Sequence, residues 1–288
     1  MAVTLPGLLK LLDLKQVTAD SFHGYCHETA WKRVFGGQVI AQALVACERT
    51  VEPDRMPHSL HAYFILAGDP SLPVHFEVER IRDGKSFNTR RCVASQAGRA
   101  IFALSASFQI AEEGFDHAAP MPDVPKPDQL PVLADMIKAM ADKLPKSVVA
   151  YFGQERAIEM RPTNYDRYLG KIPMEPKQAI WMRAQAQMPG DPTLHRAVLA
   201  YLSDMTLLET ALIMHGRNVF QPGMQVASLD HALWFHRPFR ADEWLLYTQD
   251  SPNASGARGL TRGMLYTQDG RLVASVAQEG LIRPVSIG

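Results

Sequence analysis

Cysteine is scarce. There are three, Cys26, Cys47 and Cys92, an odd number with no CxxC pair. That excludes a disulfide-built secreted scaffold and suits reduced thiols. Cys47 sits in an apolar helical run and reads as a packing residue. An excess of charge of either sign is also missing, since 30 basic residues balance 30 acidic ones. Without a broad basic field, nucleic acid is not an expected partner, although a local basic pocket is compatible with these numbers. No segment approaches the ~18 apolar residues of a membrane span. The first residues, MAVTLPGLLKLLDLK, carry an apolar run broken by Lys10 and Asp13. They lack the basic start and small-residue cleavage site of a signal peptide. The terminal Ser286-Ile287-Gly288 differs from the Ser-Lys-Leu peroxisomal address. The expectation is a cytoplasmic protein with no membrane span. Catalytic signatures are missing too. No GxSxG elbow speaks for a serine hydrolase, and no GxGxxG or GxxxxGK[ST] speaks for nucleotide binding. His231 and His236 stand five apart on an expected strand and so face opposite ways, which is poor metal-ligand geometry.

What is present is an ordinary globular composition, 47% hydrophobic and 21% charged over 288 residues. Leu202 to Gly216, LSDMTLLETALIMHG, reads as a helix opened by Ser203-Asp204 and closed by Gly216. It is apolar on more than one face, so other structure should wrap it. Runs at 225–236, 243–250, 257–267 and 272–282 read as the strands that do so. Asp204 would then stand at the helix mouth.

Upstream, 5–13 reads as a short amphipathic helix, 15–27 as one or two strands, and GGQVIAQALVACERT from Gly36 as a second apolar helix. Strands are expected at about 58–66, 73–82, 87–96 and 100–110, with turns at Asp83-Gly84 and Ala97-Gly98. Pro120, Pro122, Pro125, Pro127 and Pro131 then crowd one stretch, so roughly 112–131 reads as an extended linker over the surface. A helix at 132–143, strands near 155–161 and 177–187, and a helix at about 192–203 lead into the central one.

Shifted by 171–172 positions, the chain aligns with itself. Tyr63-Phe64 meets Trp234-Phe235, PVHF at 73–76 meets WLLY at 244–247, Arg91 meets Arg262, Gln96 meets Gln268, and GRAIFALSA at 98–106 meets GRLVASVAQ at 270–278. Two copies of one α+β unit follow: an N-terminal unit over 1–111, a proline-rich linker and short helix over 112–150, and a C-terminal unit over 151–288. Side by side, such units can join edge strands into one sheet. The duplication also exposes asymmetry. Asp204 falls opposite Phe35–Gly37, Ser228 opposite Pro57, and Gln278 opposite Ala106. A residue needed only for the fold should recur, so these three are the candidates for chemistry confined to the second half.

Each has a plainer explanation: a helix cap for Asp204, a polar pleat position for Ser228, an exposed strand residue for Gln278. Together, a carboxylate, a hydroxyl and a carboxamide can grip one water and orient it toward a carbonyl. An aspartate of ordinary pKa, about 3.9, is a weak base, so the set suits an activated ester better than an amide unless burial raises that value. His58, replaced by Leu229 in the other copy, is the rival catalytic candidate, with a packed structural histidine the favoured reading.

FGGQVIAQAL, HSLHAYFILAGDP, RDGKSFNTRR, ASFQ, SDMTLLETAL, LDHALWFHRPF, EWLLY and ARGLTRGMLYTQDGRLVASVAQEG occur in that order. They closely resemble the acyl-CoA thioesterase II family, over nearly the whole chain. The resemblance implies a double hotdog fold: two repeats, each a central helix wrapped by an antiparallel β-sheet. It maps the family's triad of aspartate, threonine or serine, and glutamine onto Asp204, Ser228 and Gln278, with the serine variant at 228. It implies hydrolysis of acyl-CoA to free acid and CoA by water, without metal or cofactor, and a homo-oligomer. Backbone N–H groups, from a helix start such as Gly36-Gly37, would meet the developing oxyanion, although close packing is the simpler reason for two glycines. The CoA phosphates would need arginine or lysine, at positions the sequence leaves open. The alternatives are a hotdog enoyl-CoA hydratase, whose GDxNPxH-type segment has no counterpart here, and a noncatalytic acyl-CoA-binding module.

Overall fold

The computed structural model describes residues 3–27, 33–144, 146–152, 154, 156–165, 172–221 and 223–285. Their strands form one antiparallel sheet, and two helices lie in its curl. In the first half, α1 (Leu5–Leu12) precedes β1 (Lys15–Gln16) and β2 (Ser21–Gly24). The central helix α2 (Gly36–Glu48) and strands β3 (Met56–Phe64), β4 (Val74–Asp83), β5 (Phe87–Gln96) and β6 (Arg99–Gln109) follow. Between the halves stand α3 (Leu133–Ala139) and α4 (Lys146–Phe152). The second half holds β7 (Ile158–Pro162), β8 (Lys177–Ala184), α5 (Pro192–Ser203) and the short α6 (Thr210–Ile213). Its remaining strands are β9 (Met224–Ser228), β10 (Asp230–Phe235), β11 (Leu245–Ser255), β12 (Arg258–Thr267) and β13 (Leu272–Pro284).

Strand order is β1-β2-β4-β5-β6-β3-β10-β13-β12-β11-β8-β7, with β9 on β13. The halves meet where β3 and β10 pair antiparallel, Leu60 opposite Leu233. Each half has lost one edge to the other, as the repeat suggested. This is the double hotdog arrangement.

Helix α2 is buried along its whole middle, Gly37 through Cys47, because apolar and small residues cover every side. Its two interior amides are paired. Gln42 donates to the carbonyls of Leu11 and Tyr25, and Gln38 donates to Tyr25. Helix α5 starts on an Asp191 cap with Pro192 in its first turn, and it buries His195, Ala197 to Ala200, Leu202 and Ser203. The two helices pack antiparallel. The start of α2 lies against the end of α5, where a Cβ on Gly37 would stand 2.3 Å from the Tyr201 carbonyl oxygen. At the far end Glu48 sits near Arg196 and Asp191. That burial pushes the Glu48 carboxyl up to about 8.

Residues 110–126 have no regular structure. Met121, Val124 and Leu130 pack on Trp181, Leu246, Tyr266 and Leu272, and Trp181 Nε1 donates to the Pro125 carbonyl at 2.9 Å. The proline-rich stretch is thus an extended strap over the outer face of the second half. No helix among the described residues is long and apolar enough to cross a membrane.

Two expectations need correction. The central helix of the second half is α5, Pro192–Ser203, not a helix running from Leu202 to Gly216. After Ser203 the chain breaks into turns, Thr206 adopts φ +66°, and only Thr210–Ile213 is helical again. Side chains from the sheet cause the break. Gln178 Nε2 donates to Thr206 O and to Thr210 Oγ1, and Gln249 Nε2 donates to Thr206 Oγ1. The Thr206 carbonyl is thereby taken from helical bonding, and the two threonine hydroxyls tie the turn to the sheet. The expected strand 225–236 is two strands. Both pair with β13, and they part at Leu229, whose N–H goes to Glu279 and whose carbonyl accepts from Phe64.

Candidate active site

Asp204 follows the last residue of α5 and caps its C-terminus, not an N-terminus. A carboxylate is disfavoured there by the helix dipole. What compensates is the start of α2, whose dipole has the opposite sense. The Gly37 N–H donates to Asp204 Oδ2 at 2.9 Å. A Cβ on Gly36 would lie 2.7 Å from the same oxygen, so the glycine pair admits both the carboxylate and the end of α5. The two glycines therefore serve packing and site together.

Ser228 is the last residue of β9, and Gln278 is a buried residue of β13. The structure brings all three residues together. Gln278 Nε2 donates to Ser228 Oγ at 2.8 Å, and Ser228 Oγ donates to Asp204 Oδ1 at 3.4 Å. Burial pushes the Asp204 carboxyl up to about 6. Hydrogen bonds from Gln278, Gly37 and Ser228, and the nearby Arg33 guanidinium, oppose that rise. Arg33 itself donates two bonds to the Val226 carbonyl at 3.1 Å. The surrounding phenols, Tyr151, Tyr201 and Tyr247, are pushed up by burial and stay neutral.

Asp204 and Ser228 stand on the wall of a cavity of about 440 Å³. Val39, Phe64, Phe102 and Tyr201 give it an apolar lining, and Ile65 and Leu66 form an exposed apolar rim. His58 is elsewhere. Its Nε2 bonds Ser107 Oγ at 2.8 Å, its ring packs edge-on to Phe87, and it does not line this cavity. Among the described residues, no group of three or more His, Cys, Asp or Glu side chains is arranged to hold a metal ion.

Three further contributors complete the cluster; Gly37 was expected near the site as an oxyanion donor rather than as Asp204's partner, and His231 and Ser203 were not singled out for the chemistry. Gly37 supplies its N–H to Asp204. His231, buried on β10, places Nδ1 2.7 Å from Gln278 Oε1. Ser203 places Oγ 2.9 Å from His231 Nε2. The repeat held the signal for His231, since a shift of 171 sets it opposite Leu60. Leu60 and Ala106 are cross-strand partners in the first half, and His231 and Gln278 replace them with a polar pair in the second.

A helix-filled hotdog shell with a polar cluster opening on a largely apolar cavity fits the class of hotdog-fold thioesterases. Comparison with known proteins narrows this. Residues 27–109 match the acyl-CoA thioesterase N-terminal domain and residues 148–281 match acyl-CoA thioesterase. Acyl-CoA thioesterase 2 of Haemophilus influenzae is 38% identical over 98% of this chain and 99% of its own length. Human acyl-coenzyme A thioesterase 8 is 43% identical over 95% of this chain and 88% of its own. Among solved structures, the acyl-CoA thioesterase II TesB2 of Mycobacterium marinum superposes with a TM-score of 0.80 at 43% identity, covering 97% of this chain and 99% of that one. The chain belongs to the acyl-CoA thioesterase II family.

Proposed function

We propose that this protein hydrolyses fatty acyl-CoA to free acid and CoA by direct attack of a water that Asp204, Ser228 and Gln278 hold. The observation that carries the reading is a carboxylate of raised pKa, flanked by a hydroxyl and a carboxamide, on the wall of an apolar cavity. The 3.4 Å Ser228–Asp204 contact is long for an O–H···O bond, so a water can share both oxygens. Asp204 accepts one water proton as the oxygen attacks the thioester carbonyl. Ser228 and Gln278 hold the water's direction of approach. With its pKa at about 6 rather than near 4, Asp204 is a stronger base yet still ionised at neutral pH. The partial positive charge at the start of α2 faces the reacting centre and favours the developing oxyanion. When the tetrahedral intermediate collapses, the C–S bond breaks, and protonated Asp204 returns its proton to the CoA thiolate. The acyl chain lies along the apolar lining.

Thiol release from a medium-chain acyl-CoA tests this. Wild-type protein is expected to release stoichiometric free thiol, and correctly folded Asp204→Ala to lose most of its kcat. Unchanged kcat in that variant would overturn the assignment. Binding without thiol release by the wild type would favour a noncatalytic acyl-CoA-binding module. A cytoplasmic homo-oligomer is part of the same proposal, to be checked by sedimentation of the purified protein and by cell fractionation.

A further inference from the structure

Behind the three residues lies a second row of buried polar groups that the proposed mechanism does not use. Ser203 Oγ stands 2.9 Å from both the Ala200 carbonyl and His231 Nε2, and its single hydrogen can go to only one of them. His231 Nδ1 faces Gln278 Oε1 at 2.7 Å. Gln278 Nε2 faces Ser228 Oγ, and Ser228 faces Asp204. Ser203, His231 and Gln278 are all at most 1% exposed, so water cannot substitute for a missing partner.

A neutral imidazole carries one ring N–H, and an amide has one donor end and one acceptor end. The row therefore has two self-consistent arrangements. In the first, Ser203 donates to Nε2, Nδ1–H donates to Oε1, the Gln278 NH₂ donates to Ser228, and Ser228 donates to Asp204. In the second, every bond reverses. Ser203 donates to Ala200, Nε2–H donates to Ser203, the amide turns over to donate to Nδ1, and Ser228 donates to the amide oxygen. Asp204 then loses the Ser228 hydrogen and the help of the Gln278 amide. A hydrogen bond to a carboxylate is roughly twice as strong as one between neutral groups, so an ionised Asp204 selects the first arrangement. Burial pushes the His231 imidazole down to about 4, so it is neutral in both.

We propose that His231, as the Nδ1–H tautomer, is a positioning residue. By donating to Gln278 Oε1 it locks the carboxamide with its NH₂ toward Ser228 and the attacking water. Ser228 cannot do this itself, because a hydroxyl accepts an amide N–H and donates to an amide oxygen equally well. The inference rests on the water-activation reading of Asp204, Ser228 and Gln278.

The test has two arms. Long-range ¹H–¹⁵N NMR of the wild-type protein at pH 7.5 reads the tautomer directly, the His231 signals being those absent from His231→Asn. The Nδ1–H pattern supports the proposal and the Nε2–H pattern overturns it. In the second arm, His231→Leu preserves bulk but removes the donor. Its kcat is expected to fall roughly tenfold to hundredfold, the scale for losing the support behind a reacting group, with KM little changed. The acid limb of its pH–rate profile should move above 6, because Asp204 loses donors that favour its charged form. His231→Asn presents an N–H near the Nδ1 position and is expected to recover most of that loss. Wild-type kcat and an unmoved acid limb in folded His231→Leu would overturn the proposal, and if that variant does not fold, the NMR tautomer and His231→Asn decide it. If Asp204→Asn kept full activity, the water-activation reading would fail while the tautomer measurement still judged the locking of Gln278.

Discussion

Asp204→Asn should give a protein that is nearly inactive and more stable. The carboxyl of Asp204 rises from 3.8 to about 6 on folding, chiefly through desolvation. About two pKa units correspond to roughly 3 kcal/mol of differential interaction. The folded state holds this proton more tightly than the unfolded chain does. Stability is therefore greatest below about pH 4 as far as this group is concerned, and is lost as pH rises through 6. At pH 7.5 the ionised carboxylate costs the fold most of that amount. Its partial exposure to the cavity lowers the figure, and about 1–2 kcal/mol is the expected gain on neutralisation. Asparagine can still accept from Gly37 N–H, so the contact to α2 survives. The gain should raise Tm by a few degrees at pH 7.5 and vanish near pH 4. Loss of the base should lower kcat by roughly 10²–10⁴. Thermal unfolding at the two pH values and thiol release from one acyl-CoA measure both. A variant that lost activity without becoming more stable at pH 7.5 would refute the desolvation argument, and one that kept activity would refute the role.

Other outcomes follow from the same geometry. In the wild type, log(kcat/KM) should climb with unit slope up to about pH 6 and then level off; a flat profile from pH 4.5 to 8 would contradict Asp204 as the base. Ser228→Ala should lose roughly tenfold or more in kcat while Ser228→Thr, which keeps the hydroxyl, stays within several-fold of wild type in the thiol assay. Gly36→Ala sets a methyl 2.7 Å from Asp204 Oδ2 and should lower kcat more than it lowers Tm; the reverse order would show that the glycine serves packing alone. Val39→Trp fills part of the apolar lining and should depress kcat/KM for long acyl chains more than for short ones across a chain-length series.

The strands of both halves were legible because alternation and turn residues survive in each copy. The joining of the copies through edge strands was legible from the repeat, whereas the register of β3 against β10, Tyr63 opposite Asp230, was not. The three candidate site residues were legible through asymmetry, as polar residues of one copy facing apolar or glycine positions of the other, and through the family resemblance. The break after Ser203 was hidden. Locally, LSDMTLLETAL has every mark of a helix, and the Thr206 carbonyl that would continue it is taken by Gln178, which arrives from β8. Such long-range hydrogen bonds leave no periodicity to read. The same limit hid the bond from Gly37 to Asp204, which depends on the start of α2 packing beside the end of the antiparallel α5. His231 stood within reach of the repeat comparison but reads, in isolation, as an ordinary core histidine.

The central claim is that water attacks the thioester directly while Asp204 takes its proton. A single turnover in ¹⁸O-water, with enzyme in excess over acyl-CoA, tests it. The account predicts one ¹⁸O in the released acid and none in the peptide containing Asp204. Label recovered in that peptide, with an unlabelled acid, would mean that the carboxylate itself attacks and would contradict the account.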